Sequence, residues 1–391
     1  MLIPRDLGPR LVRAAKAFPV VTLTGPRQSG KTTLSRALFA DRPAVSLEDP
    51  DVRAFAVSDP RAFLAQFPRG AVLDEIQRVP DLLSYLQGIV DDDPTPGRWI
   101  LTGSQNLALL RSVTQSLAGR TAVETLLPLT RGEVTRFPHH PASLERALFA
   151  GGYPRIFDRE LEPSDWLRAY AATYLERDVR TVTNVGDLGR FHRFLGLSAG
   201  RTGQVLNLSS LAADCGISQP TARAWLGILE ATYVVFRLPP FHANIRKRLA
   251  KRPKLHFLDS GLLCWLLGIR EPAQLRLHPL RGPIFESWVV SEVLKHRTNR
   301  GETGGLSFYR DQGGAEADLV IEAADRLQLI EARASATPSR RHFAGGKRVA
   351  RILETAGRRC RLAVAYGGGA TQARSEGDLV SWRRLHDFAV R

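Results

Sequence analysis

The sequence predicts a mixed α/β chain of several domains, and three observations carry that expectation. Val20–Ser35 reads as an apolar strand, a glycine-rich loop and a helix. Ala71–Ile76 and Arg98–Ser104 read as further buried strands, and from Gly282 the pattern runs helix, strand, strand, strand, helix, strand. Strands alternating with helical stretches point to parallel pairing with helices on the sheet faces. At 391 residues the chain exceeds one ordinary core. We divide it into an α/β domain at 1–130, a helical connection at 131–195, a helix-turn-helix domain at 196–275 and a second α/β domain at 276–391.

Composition narrows the classes. Hydrophobic content of 43% and charged content of 24% are those of a globular protein. Apolar runs such as Ala231–Phe236 fall far short of the roughly 20 residues that span a bilayer, so no membrane partner is expected. The start, MLIPRDLGPRL, lacks the apolar core of a signal peptide, which gives a cytoplasmic expectation. Cys215, Cys264 and Cys360 are far apart and form neither a disulfide framework nor a zinc pattern. The formal charge of +16 favours a polyanionic partner, with DNA the leading candidate. An arginine-rich coding bias would produce the same surplus.

Gly25-Pro26-Arg27-Gln28-Ser29-Gly30-Lys31-Thr32, followed by Thr33, fits G-x-x-x-x-G-K-[ST] at every fixed position. Val20–Thr24 supplies the preceding strand and good helix formers follow Lys31, so the required context is present. Glycines let the backbone wrap a phosphate, and the N–H groups of the helix start point at the anion. Lys31 would neutralise the β- and γ-phosphates of ATP, and Thr32 would join the Mg²⁺ shell. Ala71-Val72-Leu73-Asp74-Glu75-Ile76 is an apolar strand ending in two acids, the Walker B pattern. Asp74 would hold Mg²⁺ and Glu75 would polarise the attacking water. A second acid suits a hydrolase better than a mere nucleotide holder.

GPRQSGKTTL, VLDEIQ, ILTGSQN and SLAGR together resemble AAA+-type P-loop ATPases that carry a C-terminal domain of unknown function. GGYPRIF (Gly151–Phe157), YLERDV (Tyr174–Val179), RPKLHFLDSGLL (Arg252–Leu263) and IFESWVVSEVLK (Ile284–Lys295) match the same architecture, so the resemblance spans nearly the whole chain. It implies that Ser104, with Thr102 and Asn106 behind it, is a polar sensor beside the γ-phosphate. It also implies that Ile3–Arg5, in an entry helix spanning Leu2–Phe18, lies near the adenine. Arg120 resembles an arginine finger acting on a neighbouring subunit's nucleotide, which implies a homo-oligomer with a hexamer as one candidate. A merely salt-bridged arginine fits the same residue.

The rest is taken in order. Ala44–Leu47 is expected as a strand, Arg53–Phe67 as one helix, and Leu144–Phe149 and Trp166–Val185 as helices. Leu206–Leu226 then reads as a helix-turn-helix with Ser209 capping the first helix, Gly216 in the turn and Ser218 capping the second. With strands at Tyr233–Leu238 and Lys254–Leu258 it would make a winged helix. Gln219, Thr221 and Arg223 would face a DNA groove, and Arg246, Lys247, Arg248, Lys251 and Arg252 would bind phosphates without sequence preference. A protein-docking unit is the alternative. In the last domain, Glu286, Asp318 and Glu331, with Arg333 two residues on, resemble the PD-(D/E)XK restriction-endonuclease-like core and give a second metal or phosphate site. Arg333 stands where that core has lysine and cannot shuttle a proton, so a nuclease without activity is expected.

Overall fold

The structure is a computed structural model, which describes residues 2–104, 116–175, 188–241, 252–323 and 325–390. Its first layer is a five-stranded sheet. Strands β1 (Val20–Thr24), β2 (Ala44–Ser46), β3 (Val72–Asp74), β4 (Trp99–Thr102) and β5 (Thr121–Thr125) lie in the order β2-β3-β4-β1-β5, all parallel. Strand β1 lies between β4 and β5 and every residue of it is buried, as expected for a run of β-branched and apolar residues covered on both faces. On one face Leu7, Leu11 and Ala14 of the helix Gly8–Ala17 pack with Leu23 and Leu34. On the other, Phe63, Leu83 and Leu86 pack with Leu73 and Leu101.

Several boundaries differ from the sequence expectation for local reasons. The entry helix begins at Gly8, with Pro9 in its first turn, and not at Leu2. The single helix expected at Arg53–Phe67 is two helices, Pro50–Ser58 and Pro60–Ala65. Pro60 cannot continue a helix, and Asp59 caps the second one by accepting from Ala62 N at 2.9 Å. The Trp166–Val185 expectation becomes the helix Pro163–Tyr170 and one wide turn at Ala171–Leu175; residues 176–187 lie outside the described residues.

The helix pair is present as Leu208–Cys215 and Gln219–Ala231, joined through Gly216 at φ 66°. Ser218 caps the second helix, accepting from Thr221 N at 3.2 Å. The first cap is Asn207, not Ser209: Asn207 Oδ1 accepts from Ser210 N at 3.3 Å, while Ser209 only donates to that same oxygen. Strands β6 (Val235–Leu238) and β7 (Lys254–Phe257) follow as an antiparallel pair.

The last domain is a long helix, Arg281–Arg300, against a mixed six-stranded sheet. Strands β8 (Leu306–Arg310), β9 (Glu316–Glu322), β10 (Leu327–Arg333), β11 (Cys360–Tyr366), β12 (Gln372–Arg374) and β13 (Gly377–Ser381) run in the order β12-β13-β11-β10-β9-β8. Strands β12 and β13 come from the tail after Gly367, whose sequence carried no clear pattern. One continuous apolar core joins the helical region to this sheet: Phe191, Phe194 and Trp225 belong to the same cluster as Trp288, Ile330 and Trp382.

Candidate functional site

The loop after β1, Asp74 at the end of β3 and Ser104 just past β4 all leave the carboxyl edge of the parallel sheet, where open α/β sheets place their crevice. A Cβ at Gly25 (φ 143°) would lie 2.2 Å from the Leu126 carbonyl oxygen, and Gly30 (φ 95°) turns the chain into the helix Lys31–Leu38, so both positions require glycine. Lys31 is buried under the loop, its Nζ donating to the Gly25 and Pro26 carbonyls at 3.0 and 2.8 Å. Thr32 Oγ1 donates to Asp74 Oδ2 at 2.8 Å, and Thr102 donates to the other oxygen of Asp74. Ser104 Oγ donates to Glu75 Oε2 at 3.0 Å. Lys31, Thr32 and Asp74 open on a cavity of about 1110 Å³, which Arg27, Gln28, Thr33 and Glu75 also line. The hydroxyl of Thr32 facing the Asp74 carboxylate is an all-oxygen donor pair that fits Mg²⁺.

Two contacts that the sequence did not announce fix this loop. Arg5 donates to the Ser29 carbonyl at 2.7 Å, the Leu127 carbonyl at 2.8 Å and Glu133 Oε1 at 2.9 Å. Arg5 thus braces the loop from behind, while Ile3 lines the cavity. Glu133 is 0% exposed and also accepts from the backbone N–H groups of Asp6 and Thr130. Burial alone would raise its pKa; the Arg5 guanidinium outweighs that and holds the carboxyl below its ordinary range. Tyr233, at the entry to β6, donates from its hydroxyl to Thr24 Oγ1, the last residue before the loop, at 3.1 Å. Pro154, Arg155 and Arg159 also line the cavity from the helical region.

Family comparisons match three stretches of the chain. Residues 17–135 match an AAA domain, 141–273 a domain of unknown function (DUF8612) and 281–385 another (DUF4143). An uncharacterized protein of Mycobacterium tuberculosis, Rv2008c, is 35% identical over 343 residues, covering 87% of this chain and 76% of its own. An uncharacterized Mycobacterium bovis protein, Mb2031c, aligns to the same extent. The chain belongs to their family.

Within it, residues 17–135 are an AAA-like P-loop ATPase domain. Among solved structures, a Walker-type ATPase of Pyrococcus abyssi is 16% identical with a TM-score of 0.47, covering 68% of this chain and 96% of its own. A signal-transduction ATPase with numerous domains, carrying a tetratricopeptide repeat sensor, from Pyrococcus horikoshii is 12% identical with a TM-score of 0.25, covering 78% and 48%. Neither likeness reaches function or assembly.

The other sequence candidates fall at three places in this family member. Arg120 immediately precedes β5, at the opposite end of the sheet from Gly25, roughly 20 Å away at about 3.3 Å per residue. It pairs with Asp91 of its own chain, Nη2 to Oδ2 at 2.9 Å. Gln219 and Arg223 are exposed on the second helix of the pair, Thr221 is half-buried and bonded to Ser218, and Arg252 is exposed. Asn106, Arg246, Lys247, Arg248 and Lys251 lie outside the described residues.

Glu286, Asp318, Glu331 and Arg333 do come together, in a second cavity of about 650 Å³. Lys254 and Glu316 were missed by sequence reasoning. Lys254, 2% exposed, reaches in from β7 to Glu286 at 2.8 Å, Glu316 at 2.7 Å and Asp318 at 3.8 Å. Arg333 pairs with Asp318 at 3.4 Å and with Glu331. The carboxylates expected as metal ligands are thus engaged by side-chain cations, and among the described residues no His, Cys, Asp and Glu group is arranged to hold a metal ion. Burial and the Asp318 charge push Glu286 and Glu331 up to about 8, because four carboxylates beside two cations cannot all ionise cheaply. Burial opposes the Lys254 charge, but Glu286, Asp318 and Glu316 hold its ammonium above the usual lysine range. Among the described residues no helix is long and apolar enough to cross a membrane.

Proposed function

We propose that the protein hydrolyses ATP with Mg²⁺ at the Gly25–Thr33 loop and uses the cycle to act on DNA as a homo-oligomeric cytoplasmic motor or remodeler. The observation that carries the hydrolysis is the grouping of Thr32, Asp74 and Glu75 at one edge of the loop cavity, with Ser104 bonded to Glu75 behind them. Thr32 and Asp74 would hold the cation, which supplies charge neutralisation on the transferring phosphoryl group. Lys31 turns from the loop carbonyls to the β- and γ-phosphates. Glu75 takes the proton of the water that attacks the γ-phosphorus, and ADP departs with the bridging oxygen. For DNA, support comes from the +16 charge and from Gln219, Arg223 and Arg252 exposed on and beside the helix pair, which we read as a winged helix. We read the last domain as a restriction-endonuclease-like core that holds DNA or a subunit without cutting, since Arg333 and Lys254 are both tied to its carboxylates.

A second reading, a nucleotide-dependent switch that docks a protein, is favoured by the Tyr233–Thr24 bond, which links the loop directly to the helical region. One experiment separates the readings: ATP turnover at low salt, with and without duplex, single-stranded and branched DNA, against Glu75→Gln. Stimulation of several-fold by one DNA form, fading as salt rises, is the expected outcome. Turnover above the Glu75→Gln blank but flat across all DNA forms, with no DNA retention, would leave the switch. Turnover equal to that blank would remove the ATPase.

A further inference from the structure

The side chain that takes the water's proton is held by two neighbours, and one of them, Gln77, has no role so far. Glu75 has a left-handed backbone (φ 57°), sparsely populated for a residue with a Cβ, at the step from β3 into the short turn Ile76–Arg78. At that step Gln77 Nε2 donates to Glu75 Oε2. The same amide donates to Ser104 Oγ at 3.2 Å, and Ser104 Oγ in turn donates to Glu75 Oε2 at 3.0 Å. Both donors to the carboxylate therefore converge on one oxygen. Among the described residues nothing hydrogen-bonds the other, Oε1, on a side chain that lines the phosphate cavity.

Gln77 is not oriented for its own sake. Its amide oxygen is buried with no donor, a state that native proteins rarely tolerate away from functional sites. Reversing the amide would set that oxygen against the Glu75 carboxylate, so the carboxylate dictates the orientation. A glutamate free to turn about its last torsion offers either oxygen in many directions. Pinned at Oε2, it offers one oxygen in one direction, which is what proton abstraction from a poised water requires.

We propose that Gln77 is a positioning residue for ATP hydrolysis, which with Ser104 pins Oε2 of Glu75 so that Oε1 meets the attacking water. The inference rests on Glu75 as the proton acceptor. The test uses the full chain and measures kcat, KM, affinity for a fluorescent ADP and thermal midpoint for Gln77→Ala, Gln77→Met, Gln77→Glu and Glu75→Gln. Gln77→Ala and the similarly sized Gln77→Met are expected to lower kcat about 10- to 100-fold, with KM and ADP affinity within about twofold of wild type. Gln77→Glu replaces the amide donor with a carboxylate that cannot donate to Glu75 and is expected to lower kcat at least as far as Gln77→Met. A kcat within twofold of wild type in either neutral variant overturns the proposal, and so does a parallel loss of kcat, affinity and thermal midpoint in both. If Glu75→Gln itself turns over at the wild-type rate, the underlying reading of Glu75 fails; if Glu75→Gln is inactive while Gln77→Met is unimpaired, only Gln77 does.

Discussion

Arg5 and Glu133 stand 128 positions apart, yet together they set the back of the phosphate loop. Removing one partner of a buried pair leaves the other charge uncompensated, so Arg5→Met is expected to cost about 3–5 kcal/mol, read as a fall in urea midpoint. The pH dependence has a definite sign. Glu133 is depressed in the folded state, so its stabilisation is present above the ordinary glutamate value of about 4.3 and is lost as pH falls through its lower folded value. Without Arg5, burial of Glu133 is opposed only by the backbone N–H groups of Thr130 and Asp6. The variant is then expected to lose much of the stability that wild type gains from acid to neutral pH, and a pH series of unfolding curves shows the smaller slope. At this scale Gly25–Thr33 was legible because its demands are local: a left-handed turn at Gly30, a close backbone approach at Gly25, a lysine and a hydroxyl at fixed offsets. Arg5, Lys254 and Gln77 were not, because their partners are chosen by the tertiary fold or by a single strained residue.

Secondary-structure elements followed their centres of apolar pattern and departed at their ends. Strand β1 was readable from its unbroken run of apolar and β-branched residues, and strand β10 from Leu327, Leu329 and Ile330 ahead of Glu331 and Arg333. Helix ends depend on single side chains, and the first helix of the pair illustrates the point. Asn207 and Ser209 are both competent caps, and only geometry selects Asn207. Asn207→Ala is expected to cost about 1 kcal/mol, whereas Ser209→Ala should stay within about 0.5 kcal/mol. Chemical denaturation of the two variants compares them directly; an equal effect would mean that the caps share the load. Strands β12 and β13 had little pattern to show, being short and only partly buried at the sheet margin.

Across the whole molecule, Arg120 is the residue whose proposed role as an arginine finger needs more than one chain. The sheet separates it from its own loop, so any contact it makes with a nucleotide must be made on a neighbour. Arg120→Ala is expected to retain ATP binding and lose most turnover, about 10³-fold if it acts as a finger, and mixing it with a Lys31→Ala variant should restore part of the rate by pairing an intact loop with an intact arginine. Unaltered turnover in Arg120→Ala would assign it to the Asp91 ion pair alone. The core running from Phe191 and Trp225 to Trp288 and Trp382 has a consequence for descent. A gene that acquired either of the two stretches at 141–273 and 281–385 without the other would inherit an apolar face with nothing to cover it. The two stretches are in that sense expected to be inherited together, as halves of one core.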